Sequence, residues 1–290
     1  MDEPGAGVNP LLDAGDGKIL VLGASGQLGR SILERLAATG RPAIALCRRP
    51  PSDIAFGAQW LAHDLDEPLD LTSLRPMAAI HATGAWLLPA HLASLRTAGV
   101  RRLICFSSTS LLAKADSTSA AEREVAGRLA AAEAAVAACE IPWTVLRPTL
   151  IYGRGLDRNV SAAARFIRRW RFFPLAGPGL GMRQPVHADD LAEAAVRLID
   201  DRANLSRSFN LGGSENLAYR AMIERIFQAL KLPPRFLRLP PLMRIPGRIG
   251  AVARRMEQDL VFDSGELWPR LGLHPRKFLS GGRGDLCPRS

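Results

Sequence analysis

Three glycines, Gly23, Gly26 and Gly29, follow one apolar run and open a helical one in the stretch KILVLGASGQLG, residues 18–29. That order brings bare backbone N–H groups to the start of a helix, where about half a positive charge collects, and such an end holds a pyrophosphate. Gly23 makes the tight turn, Gly26 lets phosphates approach the backbone, and Gly29 lets the helix lie close on the sheet. Ser25, Gln27 and Leu28 complete the turn and its predicted contacts with a dinucleotide. After the second apolar run come Arg48 and Arg49, at the place where a carboxylate would hold the ribose 2′-OH of NAD. A guanidinium there suits the 2′-phosphate of NADP. NADP is therefore the expected cofactor and NAD the alternative, with a solvated Arg48 ahead of Pro50 and Pro51 as the plain reading.

Other reactive side chains cluster where further strands should end. Ser107, Ser108, Thr109 and Ser110 close the run RLICF, and ligands meet parallel sheets at strand C-terminal ends. The same hydroxyls could serve only as strand-end caps. Ala82, Thr83 and Gly84 close another run, and their backbone should pass along the cofactor; His81 beside them reads as a packed strand residue. Tyr152 falls in the loop past the sixth strand, where a substrate should lie, and either supplies a phenol proton or packs. Arg147, Arg154 and Arg183 fall in or beside segments that would line the substrate cleft. Guanidinium groups suit a diphosphate by bidentate contact, which points to a nucleotide-diphospho-sugar or another phosphorylated small molecule, although any one of them could be surface charge. His187 reads as part of a helix-start hydrogen-bond network with Asp190.

The elements that must position these groups alternate. Strands are predicted at 43–47, 60–61, 77–82, 102–107 and 143–146, with helices at 27–39, 87–98 and 118–139 between them. Continuous apolar strands alternating with helices predict a doubly wound parallel α/β sheet, a Rossmann fold, covered on both faces. Further helices are predicted at 157–170, 189–202, 217–230 and 242–258, and short strands near 184–187 and 207–211 that return to the same sheet. The expected organisation is a disordered leader at 1–16, an NAD(P)-binding core at 17–150, an interleaved substrate lobe at 151–278 and a disordered tail at 279–290.

The chain has 290 residues and a formal net charge of +10. Its arginines run along the whole chain with local clusters at Arg48–Arg49, Arg101–Arg102, Arg168–Arg171 and Arg244–Arg255; no nucleic-acid motif accompanies them, so nucleic acid is not an expected partner. No apolar run approaches the roughly 18 residues of a membrane span. The four cysteines lack metal-ligand or CxxC spacing, which suits a reduced, cytoplasmic protein. Residues 165–173 and 236–256 mix arginine with large apolar side chains; they read as helix packing under arginine stems, or as a peripheral contact with an anionic membrane.

Beyond the glycine turn the chain resembles the extended short-chain dehydrogenase/reductases of the NAD-dependent epimerase/dehydratase kind, over residues 17–279. His63-Asp64-Leu65, Phe106 to Thr109, Leu146-Arg147-Pro148 through Ile151-Tyr152-Gly153, Pro185 to Leu191 and Phe209 to Gly213 carry the resemblance in order. It implies that Asp64 and Leu65 meet the adenine, that Ser107, Ser108 and Pro148 border the cofactor, and that Thr109 orients the reacting oxygen. It also implies a tyrosine followed four residues later by a lysine, on the helix after the fifth strand. Here Glu124 and Arg128 stand at the matching spacing, as an i,i+4 ion pair or with Glu124 as an altered acid/base. The chain thus looks like an atypical member: an epimerase, dehydratase or reductase with another proton carrier, or a protein that holds NAD(P) for a structural or redox-sensing purpose, docked on a membrane or larger complex. Members of this family often pair as dimers through helices like those at 87–98 and 118–139.

Overall fold

The computed structural model describes residues 17–51, 56–239, 254 and 256–287. The predicted leader and most of the predicted helix 242–258 lie outside the described residues. In chain order the strands are β1 (Ile19–Leu22), β2 (Ala43–Cys47), β3 (Gln59–Ala62), β4 (Ala78–His81), β5 (Arg102–Phe106), β6 (Trp143–Pro148), β7 (Leu150–Tyr152), β8 (Phe173–Ala176), β9 (Met182–Arg183), β10 (Pro185–His187), β11 (Arg207–Leu211), β12 (Leu217–Ala218) and β13 (Phe236–Leu239). The principal helices are α1 (Gln27–Ala38), α2 (Leu92–Thr97), α3 (Ser110–Ala113), α4 (Ala120–Ala137), α5 (Val160–Trp170), α6 (Ala188–Leu198) and α7 (Tyr219–Ala229).

Seven strands form one sheet in the order β11-β6-β5-β4-β1-β2-β3, with every pair parallel. Apart from Arg102 at the start of β5, the strands β1, β2 and β5 are apolar along their length because both faces are covered. Ile19 and Val21 face one layer, where Ile32, Leu33 and Leu36 of α1 meet Leu191 and Leu198 of α6. Leu20 and Leu22 face the other, with Leu129 and Val136 of α4. The chain winds outward from β1 to β3 and then returns to β4 on the other side of β1. The strand order therefore reverses between β1 and β4, and the crevice at their C-terminal ends is where such sheets bind ligands.

A third core gathers Tyr152, Ile167, Phe173, Ile223, Phe227 and Phe278 into a smaller lobe, while α6 and β11 of the same stretch belong to the main sheet. Three expectations change. The helix predicted at 87–98 is two 3-10 turns, Ala85–Leu87 and Pro89–His91, followed by the short α2, since Pro89 offers no N–H to continue a helix. Of the two late strands, β11 joins the main sheet, whereas β10 pairs with β7 outside it. The segment predicted as a disordered tail is ordered through Cys287: Gly282–Leu286 is a 3-10 turn in which Leu286 and Asp285 are buried.

Candidate dinucleotide site

The glycine turn sits at the switch point. Gly23 has φ +83°, and a Cβ there would lie 2.7 Å from the Thr83 Cβ, so the turn after β1 and the residues after β4 are in close contact. A Cβ on Gly29 would lie 2.6 Å from the Ala24 Cα; the helix thus rests directly on the turn, as the triplet requires. Gly26 is the N-cap of α1, which has neither a side-chain cap nor an acidic residue in its first turn. Its positive end is therefore left for an anion. The Gln27 side chain donates to Gly153 O at 2.7 Å and bridges the crevice, leaving its backbone to the phosphates. Leu28 is buried and Ser25 half-buried, with Ser25 O accepting from Arg30 Nε at 3.0 Å.

Arg48 is exposed immediately past β2. Asp64 is exposed after β3, and Leu65 beside it is buried. His91 holds that loop from below, its Nε2 donating to Leu65 O at 2.8 Å. His91 was not a sequence candidate; only its apolar surroundings and Pro89 hinted at burial. His81 is fully buried at the end of β4, and burial, helped by neighbouring His91, pushes its pKa down to about 3. It stays neutral at physiological pH, as a packed strand residue should. Ala82, Thr83 and Gly84 follow it, half-buried, along the crevice.

At the end of β5, the Thr109 hydroxyl donates to Pro148 O at 3.2 Å, while Ser108 Oγ accepts from the Ser110 N–H at 3.1 Å. Both hydroxyls therefore have backbone partners. Ser107 Oγ is buried without a partner, and a buried hydroxyl in that state at a ligand crevice calls for one.

The predicted proton carriers are placed elsewhere. Glu124 and Arg128 are exposed on α4. Arg128 lies over the Trp86 ring, 4.5 Å from its centroid, rather than against Glu124. One residue along, Val125 and Leu129 take the i,i+4 positions packed on the sheet side. Tyr152 is wholly buried; its hydroxyl donates to Lys277 O and accepts from the Leu279 N–H, each at 3.3 Å. Burial raises its pKa above the ordinary phenol value. With its hydroxyl enclosed in this way, Tyr152→Phe should lower stability by about 1 kcal/mol in urea unfolding and leave nucleotide affinity unchanged in a titration.

The three arginines expected in the substrate cleft are engaged internally. Arg147 donates Nε to Glu133 Oε1 at 2.9 Å. Arg154 pairs with Glu34 and, at 2.7 Å, with Asp189. Arg183 donates to Gln258 O at 2.7 Å and lies over Tyr219. Each is buried or half-buried, so a guanidinium in the interior has taken the partners that keep its charge tolerable. His187 caps α6, its Nδ1 accepting from the Asp189 N–H at 3.1 Å. Asp190 is held instead by Arg276, whose Nε donates to it at 2.8 Å. Gly153, φ +106°, passes so close that a Cβ would lie 2.7 Å from the His187 Cδ2.

A cavity of about 420 Å³ opens at the end of α3, between Leu112 to Glu122 and the segment Gln258 to Phe262. Asp116, Glu122 and Asp259 line it with Arg254, and Leu260 and Phe262 add apolar surface. The sequence hides these residues, because Asp116 to Ser119 reads as an ordinary turn before a helix.

Residues 77–212 match the model of the NAD dependent epimerase/dehydratase family. That stretch runs from β4 to β11, and over it the chain is similar to that family; the glycine turn after β1 lies outside the match. An uncharacterized protein of Mycobacterium tuberculosis is 28% identical over 232 residues, covering 79% of this chain and 25% of its own length. The mitochondrial NADH dehydrogenase [ubiquinone] 1 alpha subcomplex subunit 9 of Arabidopsis thaliana is 31% identical over 112 residues, covering 38% of this chain and 28% of that protein. The chain thus spans about a quarter of the length of the curated relatives it matches. Among solved structures, MoeE5 in complex with UDP-glucose and NAD superposes with a TM-score of 0.71 at 21% identity, covering 93% of this chain and 97% of that one. Among the described residues no helix is long and apolar enough to cross a membrane.

Proposed function

We propose that the chain binds a nicotinamide dinucleotide across the β1–β4 switch point and keeps it as a structural or redox-reporting ligand. The pyrophosphate lies on the α1 N-terminus, the adenine beside Asp64 and Leu65, and the nicotinamide end toward Ser107, Ser108 and Pro148. The observation that carries this reading is the α4 face: Glu124 and Arg128, at the spacing where the resemblance has a tyrosine and a lysine, are exposed, with Arg128 over the Trp86 ring, while Tyr152 is held by the chain at Lys277 and Leu279.

A second reading is an epimerase, dehydratase or reductase of a nucleotide-sugar-like substrate, with Thr109 orienting the reacting oxygen. The cavity at the end of α3 favours it, as does a structural neighbour in complex with UDP-glucose and NAD. Its proton carrier would be a cavity carboxylate, Glu122 or Asp116, rather than Glu124.

Denaturing freshly purified protein and identifying released nucleotide by mass separates the two. Stoichiometric NAD(H) or NADP(H), with every member of a panel of sugar nucleotides recovered unchanged by chromatography and NMR, is expected. Conversion of any member of the panel, whether by protein with captive nucleotide or by empty protein that consumes NADPH, would sink the first reading and support the second.

Cofactor choice rests on Arg48. Replacing it with alanine should weaken NADP about tenfold or more, the size of one charge-assisted hydrogen bond, and leave NAD unchanged in isothermal titrations. Equal losses for both nucleotides would remove the 2′-phosphate assignment.

A further inference from the structure

The positive charge of this protein is not spread over it. Residues 158–188 and 225–256 contain fourteen of the 38 lysines and arginines and none of the 28 carboxylates. Outside these two runs acids outnumber bases by four, so the whole excess of +10 belongs to them. The described residues of both runs lie in the lobe. The first supplies α5 and β8, and the second supplies β13, which pairs in parallel with β8 from Phe236 against Phe173 to Leu239 against Ala176.

The described part of this surface is basic and apolar together. Arg165, Arg168 and Arg169 are exposed on α5, Arg171 follows in the left-handed conformation at its C-cap, and Arg235 and Arg238 are exposed at β13. Between them Trp170 is 57% exposed and Leu237 50% exposed. Phe166 stacks Trp170 and Phe172 onto the lobe core, and Arg169 lies over the Trp170 ring at 5.3 Å. Carboxylates of the lobe are already taken: Glu215 pairs with Arg225, Glu224 with Arg220, and Glu257 past the end of β8 accepts from the Gly179 N–H at 2.7 Å.

Ordinary packing would hide Trp170 and Leu237, and a purely solvated face would lack them. A nucleic-acid surface would want the charges without an aliphatic side chain among them. Exposed arginines with an exposed indole and an exposed leucine on adjoining elements match the interface of an anionic bilayer, where the ring sits among headgroups and the cations meet lipid phosphates.

We propose that the α5–β8–β13 face of the lobe docks on an anionic membrane surface, with Trp170 and Leu237 entering the headgroup layer. Docking is peripheral and reversible, and it leaves the dinucleotide crevice outside the contact.

The test is flotation of the full-length protein with vesicles of phosphatidylcholine alone and with about a third phosphatidylserine. Binding should require the anionic lipid and fall steeply between low and high salt. Each charge removed should weaken partitioning about fivefold, so the Arg168→Gln/Arg169→Gln/Arg171→Gln variant should lose about 100-fold. Trp170→Ala should weaken binding to the same vesicles without altering its salt dependence. Circular dichroism checks that these surface variants remain folded. No flotation on the anionic vesicles, or flotation untouched by the triple variant, overturns the proposal. So would binding to a duplex DNA of similar length scale that exceeds vesicle binding and is indifferent to Trp170→Ala, which would assign the face to nucleic acid.

Discussion

Gly29→Ala should cost this protein both stability and its dinucleotide. The added Cβ would sit 2.6 Å from the Ala24 Cα and 2.7 Å from the Ala24 carbonyl carbon, where ordinary carbon contacts are about 3.5–4.0 Å. Both atoms are backbone in the turn, so neither can rotate away, and α1 must lift from the sheet by about 1 Å. Overpacking of this kind costs about 1–3 kcal/mol. Lifting α1 also withdraws its positive end from the pyrophosphate, an interaction worth up to about 2 kcal/mol, so nucleotide affinity should fall about tenfold or more. The same substitution at Gly127 is the control. It lies in α4, a Cβ there meets nothing within 4 Å, and alanine should add about 0.5–1 kcal/mol. Thermal melts with and without NAD or NADP read both effects: wild type and Gly127→Ala should be stabilised by added nucleotide, and Gly29→Ala should melt earlier with a much smaller shift. An unchanged shift in Gly29→Ala would mean the phosphates lie elsewhere.

How legible the site was depends on how far each residue's partners lie along the chain. The glycine turn, the strands and the switch point follow from local patterns, because a strand buried on both faces must be apolar throughout and a helix resting on backbone must have glycine at the contact. Glu124 and Arg128 illustrate the opposite case. α4 is rich in alanine, so the sequence barely distinguishes its inner face from its outer one, and a one-residue rotation exchanges Glu124 for Val125. Tyr152 looked available because nothing local covers it; the covering atoms belong to Lys277 and Leu279, in a segment whose composition imitates a tail. Arg147, Arg154 and Arg183 carry the right chemistry for a diphosphate, but their carboxylate or carbonyl partners stand at Glu133, Glu34, Asp189 and Gln258. A sequence shows the charge and not the pairing. The lobe surface is the converse, since its charge segregation can be counted in the sequence, while the exposure of Trp170 needed the fold.

Asp189→Asn should destabilise the protein near neutral pH and flatten its acid response. The Asp189 carboxylate accepts from Arg154 Nε at 2.7 Å and from the Ser31 hydroxyl at 3.0 Å, with Arg276 3.7 Å away. Burial alone would raise its pKa; the hydrogen bond and charge of Arg154, the charge of His187 and the Ser31 hydroxyl outweigh that and hold it below the usual value. A carboxyl depressed in the folded state contributes stability above its unfolded pKa, about 3.9, and loses that contribution as pH falls through the folded value. The asparagine cannot titrate and leaves Arg154, 8% exposed at its side chain, facing only the half-exposed Glu34. About 3 kcal/mol should be lost at pH 7, the low end for breaking a buried pair. Urea unfolding from pH 8 to pH 3 should show the two stabilities converging below about pH 4. Asp285, also held low against its burial by His187, keeps part of the acid response in the variant. The consequence reaches the site, because Asp189 joins α6 to Ser31 of α1 and to Arg154, next to the Gly153 carbonyl that Gln27 holds. Loosening it should let the crevice open, and nucleotide affinity should fall together with stability. A gap between the two proteins that stays constant with pH would show that Asp189 acts by packing alone.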